Sequence, residues 1–331
     1  KKASRAKGQQ MVSHRPQAAS TFDTQHEDMI HDLQLDYYGK RLATCSSDAT
    51  IKVFEVGPEN GNQTLSASIV GHEGPIWQIA WAHPKFGAIL ASCSYDRRVC
   101  VWKDVSAPSG QWSKMYEYMG HQSSVNAISF APHELGLKLA CVSNDCCISI
   151  LTWRGGGDMD WDERTVPNAH QIGCNAVCWA PAAAPAAATS QAEAAPPVQA
   201  RLVTGGSDGA VKVWKLEESG DLELDAEFDA TYRSSPHSGW VRDVAWAPSI
   251  GLPTQTIASC AEDKVVQIWS QAAGRTGWTV KRLPPFEAVV WRVSFSVAGN
   301  VLAVSAADGK VTLWKEGLDG EWGMIESVCE Q

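Results

Sequence analysis

Short β-branched and apolar runs alternate with polar turns along this chain, and the alternation repeats at long range. With a His as origin, apolar residues recur four and seven positions on. They are Ile30 and Leu33 after His26, Ile76 and Ile79 after His72, and Val125 and Ile128 after His121. Cys174 and Val177 follow His170, and Val241 and Val244 follow His237. Phe286 takes the origin of a sixth copy, with Val290 and Val293. Nine positions after each origin stand Leu35, Trp81, Phe130, Trp179, Trp246 and Phe295. Such runs read as buried strands. A second register lies downstream: Asp48, Asp96, Asp145, Asp208, Asp263 and Asp308 precede by six Phe54, Trp102, Leu151, Trp214, Trp269 and Trp314. The pattern predicts a strand, a tight turn at the Asp, and a second strand; Asp208-Gly209 and Asp308-Gly309 are explicit hairpin turns. A fourth strand follows, as in QTLSASIV (63–70), WSKMYEYM (112–119), WTVKRL (278–283) and WGMIESV (322–328).

Origins are spaced by 46, 49, 49, 67 and 49 residues. The long interval holds Ala182–Gln199, 18 residues of which twelve are Ala or Pro. Such a segment cannot bury a core and is expected to be a disordered loop between two strands of the fourth copy. The expected organisation is a partly disordered N-terminal extension, 1–25, then six four-stranded units at about 26–70, 71–119, 120–169, 170–236, 237–285 and 286–328.

Composition narrows the function. The 331 residues carry a formal charge of −9; residues 1–10 hold four basic residues and no acid, so the remainder carries −13. A body that acidic is a poor direct partner for nucleic acid or an anionic membrane. No apolar stretch approaches the roughly 20 residues that span a bilayer, and the polar start carries no signal-peptide pattern. Ten cysteines in that context suggest reduced thiols. The basic run Lys1–Lys7 is read as an extension ahead of a natural start at Met11.

Four-stranded repeats of this period, with Gly-His at Gly71-His72 and Gly120-His121 and a terminal Trp, resemble the WD-repeat family. The resemblance covers 26–328 and implies an all-β fold, a six-bladed WD-repeat β-propeller with one blade per copy. The runs 29–56, 71–103, 125–145 and 289–315 resemble the branch of that family that builds coats and pores. That branch implies a subunit of the COPII outer cage in ER-to-Golgi transport, a second post in the nuclear pore scaffold, and a third in a nutrient-signalling complex on the lysosome or vacuole. The implied locations are the cytoplasmic face of the ER membrane, with membrane association only through the coat, and the nuclear envelope. The implied partners are a Sec-thirty-one-like coat subunit or a helical nucleoporin, either one inserting a short β-segment as a seventh blade between the first and sixth.

In such propellers the origin His, a Ser or Thr, the turn Asp and the Trp can form one hydrogen-bonded chain. The full set is present as His72, Ser92, Asp96 and Trp102; as His170, Thr204, Asp208 and Trp214; and as His237, Ser259, Asp263 and Trp269. The third copy has Cys141 and Leu151, and the sixth Phe286 and Val304, in place of members. A Ser, His and Asp together invite a hydrolase reading, but a set recurring around a ring is structural, and no nucleophile elbow is present. His170, Cys174 and Cys178 lie at four-residue steps yet fall on core positions and lack a fourth ligand for a closed zinc site. Gly155–Gly157 lacks the Lys and following helix of a phosphate loop. No catalytic, metal or cofactor site is therefore expected.

Six copies with six fourth strands leave no segment to lock the ring, and residues 12–25 are poor in apolar side chains. The expectation is an open ring, with Ile51 and Val53 of the first blade and Val311 and Leu313 of the last as candidate contacts for a partner strand. The alternative is a generic WD-repeat recognition module, such as a substrate receptor, holding a peptide over the central channel. Deleting Ala182–Gln199 should preserve the circular dichroism spectrum and soluble expression. Closure entropy changes by only about 0.6 kcal/mol per doubling of loop length, and loss of folded protein would make the segment structural.

Overall fold

The computed structural model describes residues 22–57, 63–105, 110–157, 160–182, 200–217, 219–248, 254–272 and 277–329. The expectations for 1–21 and for 183–199 lie outside these residues. The first sheet holds β1 (Ile30–Leu35), β2 (Arg41–Ser46), β3 (Thr50–Val56) and β4 (Gln63–Val70). The second holds β5 (Ile76–Trp81), β6 (Ile89–Ser94), β7 (Val99–Asp104) and β8 (Trp112–Tyr118). The third holds β9 (Val125–Phe130), β10 (Lys138–Ser143), β11 (Ile148–Trp153) and β12 (Trp161–Val166). In the fourth are β13 (Cys174–Trp179), β14 (Ala200–Gly206), β15 (Val211–Leu216) and β16 (Leu222–Leu224), followed by helix α1 (Ala226–Tyr232). The fifth has β17 (Val241–Trp246), β18 (Thr254–Ala261), β19 (Val266–Ala272) and β20 (Thr279–Arg282). The sixth has β21 (Val290–Phe295), β22 (Val301–Ala306), β23 (Lys310–Glu316) and β24 (Trp322–Cys329). Strands pair in chain order within each sheet, so the six sheets are six blades. The first strands of the blades line a central channel.

The turn Asp explains how each central hairpin closes. The residue after it takes a left-handed φ in every blade, at Ala49, Arg97, Cys146, Gly209, Lys264 and Gly309. Only two of these are Gly. Each Asp side chain accepts the N–H two residues on, as Asp96 does from Arg98 at 2.9 Å and Asp263 from Val265 at 3.0 Å. That bond stabilises a backbone conformation disfavoured for the other residue types. Gly71 has a different reason: a Cβ there would meet the Trp102 ring at 2.6 Å.

The second to fifth blades bury one face against the blade before and the other against the blade after, while the first and sixth have one such neighbour each. Ala43, Cys45, Ile51, Val53 and Ile69 of the first pack with Ile76, Ile79, Leu90 and Trp102 of the second. The same arrangement joins the second to the third, and so on to the sixth. Innermost strands pack in succession, β1 on β5 through to β17 on β21, while β21 and β1 do not pack to that extent among the described residues.

The fourth blade departs from the repeat. Its outer strand β16 has three residues, and α1 takes up the remaining space. Asp225 caps α1 by accepting from the backbone of Glu227 and Phe228 at 3.1 and 3.3 Å. Phe228 is fully buried, with ring centroids 5.2 Å from both Trp269 and Trp278 of the fifth blade. Phe228→Ala should lower stability in urea unfolding by about 3–5 kcal/mol, the range for a truncated core aromatic; a change under about 1 kcal/mol would make α1 a surface appendage.

Candidate functional site

The three complete polar sets assemble as chains. His72 meets Asp96 through Nδ1 at 2.8 Å and Ser92 through Nε2 at 2.7 Å, and Trp102 Nε1 donates to Ser92 Oγ at 2.9 Å. For His170 the distances are 3.0 Å to Asp208 and 2.8 Å to Thr204, with Trp214 donating to Thr204 at 2.9 Å. For His237 they are 3.0 Å to Asp263 and 2.9 Å to Ser259, with Trp269 donating to Ser259 at 3.1 Å. Indole N–H can only donate, and a carboxylate can only accept. In the neutral tautomer that fits these partners the imidazole proton sits on Nδ1 toward Asp, and the hydroxyl donates to Nε2. The hydroxyl is thereby held by two partners and is fully buried in Ser92, Thr204 and Ser259. A hydroxyl so placed is a strut between strands.

The first blade holds a set that the sequence reasoning missed. His26 meets Asp48 at 2.8 Å and Thr44 at 2.9 Å. Phe54 stands where the other sets have Trp. The signal was available: Thr44 lies four residues before Asp48, as Ser92 lies four before Asp96. In the third blade His121 keeps its bond to Asp145 at 2.9 Å, while its buried Nε2 has no partner among the described residues, with Cys141 and Leu151 where the other sets have a hydroxyl and a Trp. In the sixth, Trp314 donates instead to Thr312 at 2.8 Å and meets Phe286 edge-on. Both ring nitrogens of His170 are engaged in its chain, Cys174 packs in the core, and the Cys178 sulfur accepts from the backbone of Trp246 at 3.3 Å. The three do not converge on one point.

Charge follows the same geometry. Burial opposes ionisation of Asp96, but the bonds from His72 and from the Glu73 backbone outweigh it and hold the carboxyl down at about 2. Asp208 and Asp263 are lowered for the same reasons, against burial, by His170 and His237. Burial pushes His121 and His170 below the ordinary histidine value, which keeps both rings neutral.

The inner rim carries a second set of latches. Asp32 accepts from the Ile79 N–H at 3.2 Å, Gln78 from Ile128 at 2.8 Å, and Asp243 from Val293 at 3.0 Å. Each lies six residues after its origin and grips the next blade. In the sixth blade that position is Arg292, which donates to the His31 carbonyl at 3.5 Å. Burial works against the Arg292 charge, and Asp243 and Asp32 outweigh it.

Between the sixth and first blades the ring is open. The positions four and seven after the origin are 0–6% exposed in blades two to six, but Ile30 is 43% and Leu33 59% exposed. Opposite them, Val311 is 38% exposed and Leu313 partly buried, both on the face of β23 turned away from the fifth blade. Phe22 lies edge-on against Phe54 at 5.2 Å and covers part of the first blade's wall, leaving Ile30 and Leu33 bare. Two of the four candidate contacts need correction. Ile51 and Val53 are 0% and 1% exposed, because their side chains point to the second blade. Alternation along a strand puts their neighbours on the seam side instead.

The blades, the repeated His–Ser/Thr–Asp chains and the terminal Trp define a WD-repeat β-propeller. The WD domain, G-beta repeat family matches residues 18–55, 63–103, 112–151, 229–270 and 278–315, skipping the fourth blade where insert and helix interrupt the pattern. The chain is 48% identical over 301 residues to a Drosophila melanogaster protein described as Protein SEC13 homolog, covering 91% of this chain and 81% of that one. It is 44% identical to the protein transport protein SEC13 of Mycosarcoma maydis (92% and 94% covered) and 46% identical to that of Emericella nidulans (92% and 96% covered). The chain belongs to the SEC13 family of WD-repeat propellers.

Asp96→Ala should cost about 1–3 kcal/mol in denaturant unfolding, since it strands the His72 donor and a backbone N–H. Asp96 sits below its unfolded value of 3.8, so its contribution is full above that value and lost as pH falls through about 2. The stability gap between wild type and variant should therefore narrow from pH 5 to pH 2. A gap that does not depend on pH would refute the ionised role.

Proposed function

We propose that this protein is a non-enzymatic scaffold subunit in protein transport, completed by a partner that supplies a seventh blade to its open seam. Its posts are the COPII outer coat, with a Sec-thirty-one-like subunit as partner, and the nuclear pore scaffold, with a nucleoporin. A nutrient-signalling complex is a third. It acts at the cytoplasmic face of the ER and at the nuclear envelope, reaching membranes through the coat. The polar chains serve as struts and carry no chemistry.

The observation that carries this reading is the exposure of Ile30 and Leu33, at 43% and 59%, where every other blade buries the same positions. Side chains of core character left bare on a wall mark an interaction surface. Opposite walls of apolar residues suit the two faces of an inserted sheet, and an incoming inner strand would take the place of the Arg292–His31 contact. The names of the relatives, which speak of protein transport, support the same assignment.

Leu33→Glu should weaken binding of a Sec-thirty-one-type coat subunit by at least a hundredfold in calorimetry, with little change in the free chain's melting temperature. In the wild type, partner at a hundred times its Kd should add about 2.7 kcal/mol of stability. Wild-type affinity in the variant would redirect the search for the partner site to the channel mouth.

A further inference from the structure

We infer that Trp291 is a specificity-determining contact for the strand that closes the ring, its indole N–H donating to a backbone carbonyl or a Ser/Thr hydroxyl at that strand's start. The inference rests on the proposal that a partner fills the seam. It comes from a ring of side chains that the repeat places five residues after each origin: His31, Trp77, Asn126, Asn175, Arg242 and Trp291. The pairing of each inner strand with its neighbour shifts register around this residue in all six blades. A bulge re-aims the side chain it carries.

The first five of these side chains reach forward to the next blade. His31 meets Trp77 edge-on at 4.6 Å. Trp77 Nε1 donates to Ser124 Oγ at 2.9 Å. Asn126 donates to the Cys174 carbonyl at 2.8 Å and Asn175 to the Val241 carbonyl at 3.0 Å. Arg242 lies over the Trp291 ring at 4.6 Å. Three of these five contacts are one N–H given to a residue three or four after the next origin. Trp291 is the last of the series, and what lies ahead of it is the seam. It is 44% exposed, while the other five are at least partly buried.

The indole is held ready. Arg242 covers one face, is itself flanked by Trp240 at 5.2 Å, and pairs with Glu262. No acceptor meets Trp291 Nε1 among the described residues, and an indole N–H has no other use than to donate. A strand that continues the ring presents its first inner residues to that donor, as Ser124, Cys174 and Val241 do to theirs. The partner's matching group is therefore an acceptor.

The test uses the full chain and a Sec-thirty-one-type coat subunit. Trp291→Phe keeps the ring against Arg242 and removes the N–H; it should weaken binding about five- to tenfold, the worth of one hydrogen bond. Trp291→Ala should weaken it about a hundredfold, with an unchanged circular dichroism spectrum. In the wild type the ¹⁵N-indole signal of Trp291 should shift and gain protection from exchange on binding. Wild-type affinity in Trp291→Phe, with Leu33→Glu defective, overturns the role of Trp291 and leaves the seam proposal standing. Wild-type affinity in Leu33→Glu removes the seam proposal and this inference with it.

Discussion

No blade of this molecule can bury its own apolar residues. A four-stranded sheet has two faces, and both are apolar here, so each blade depends on a neighbour on either side. Five of the six junctions meet that requirement within the chain. The sixth does not, and the open seam follows from the same requirement that builds the rest. The repeat that forms the core leaves, at its two ends, surfaces of core composition: Ile30 and Leu33 on one side, Val311 and Leu313 on the other.

Polar groups solve a different problem, that of fixing each hairpin within its blade. An Asp, a His and a hydroxyl link the turn, the entry segment and the second strand, and a Trp terminates the chain on the third strand. Each bond satisfies a group that would otherwise be buried alone. The third blade shows what partial loss does: His121 keeps its carboxylate, and its other nitrogen has no partner among the described residues. The sixth avoids that outcome because Phe286 and Val304 replace donor and acceptor together.

Much of this was legible in the sequence, because a repeat read six times is its own control. The strand order holds, and in the complete sets the Ser or Thr four residues before the turn Asp and the Trp six after it fall at fixed offsets, as does the Thr44 of the first blade that went unread. The seam was inferred from counting strands. The wall on the last blade was named with Val311 and Leu313, but the wall on the first was not, because an offset places a residue on a strand without telling which neighbour its side chain faces. Ile51 and Val53, expected at the seam, face the second blade, and Ile30 and Leu33, in runs that read as buried strands, are the exposed pair. The helix after Leu224 escaped for another reason: the fourth copy breaks period there, and Asp225 with a following apolar Phe228 is a short, local signal.

The left-handed turn residues have a bearing on how such a surface can change. Because the neighbouring carboxylate supports that conformation, four blades carry Ala49, Arg97, Cys146 and Lys264 there in place of glycine. These side chains recur at one geometrical station around a single rim of the disc. Five blades have room for a side chain there, while in the fourth a Cβ at Gly209 would meet the His237 carbonyl at 2.9 Å, so charge, size and nucleophilicity can be rewritten at five of the six stations. The rim is in effect a set of addressable positions on a rigid wheel.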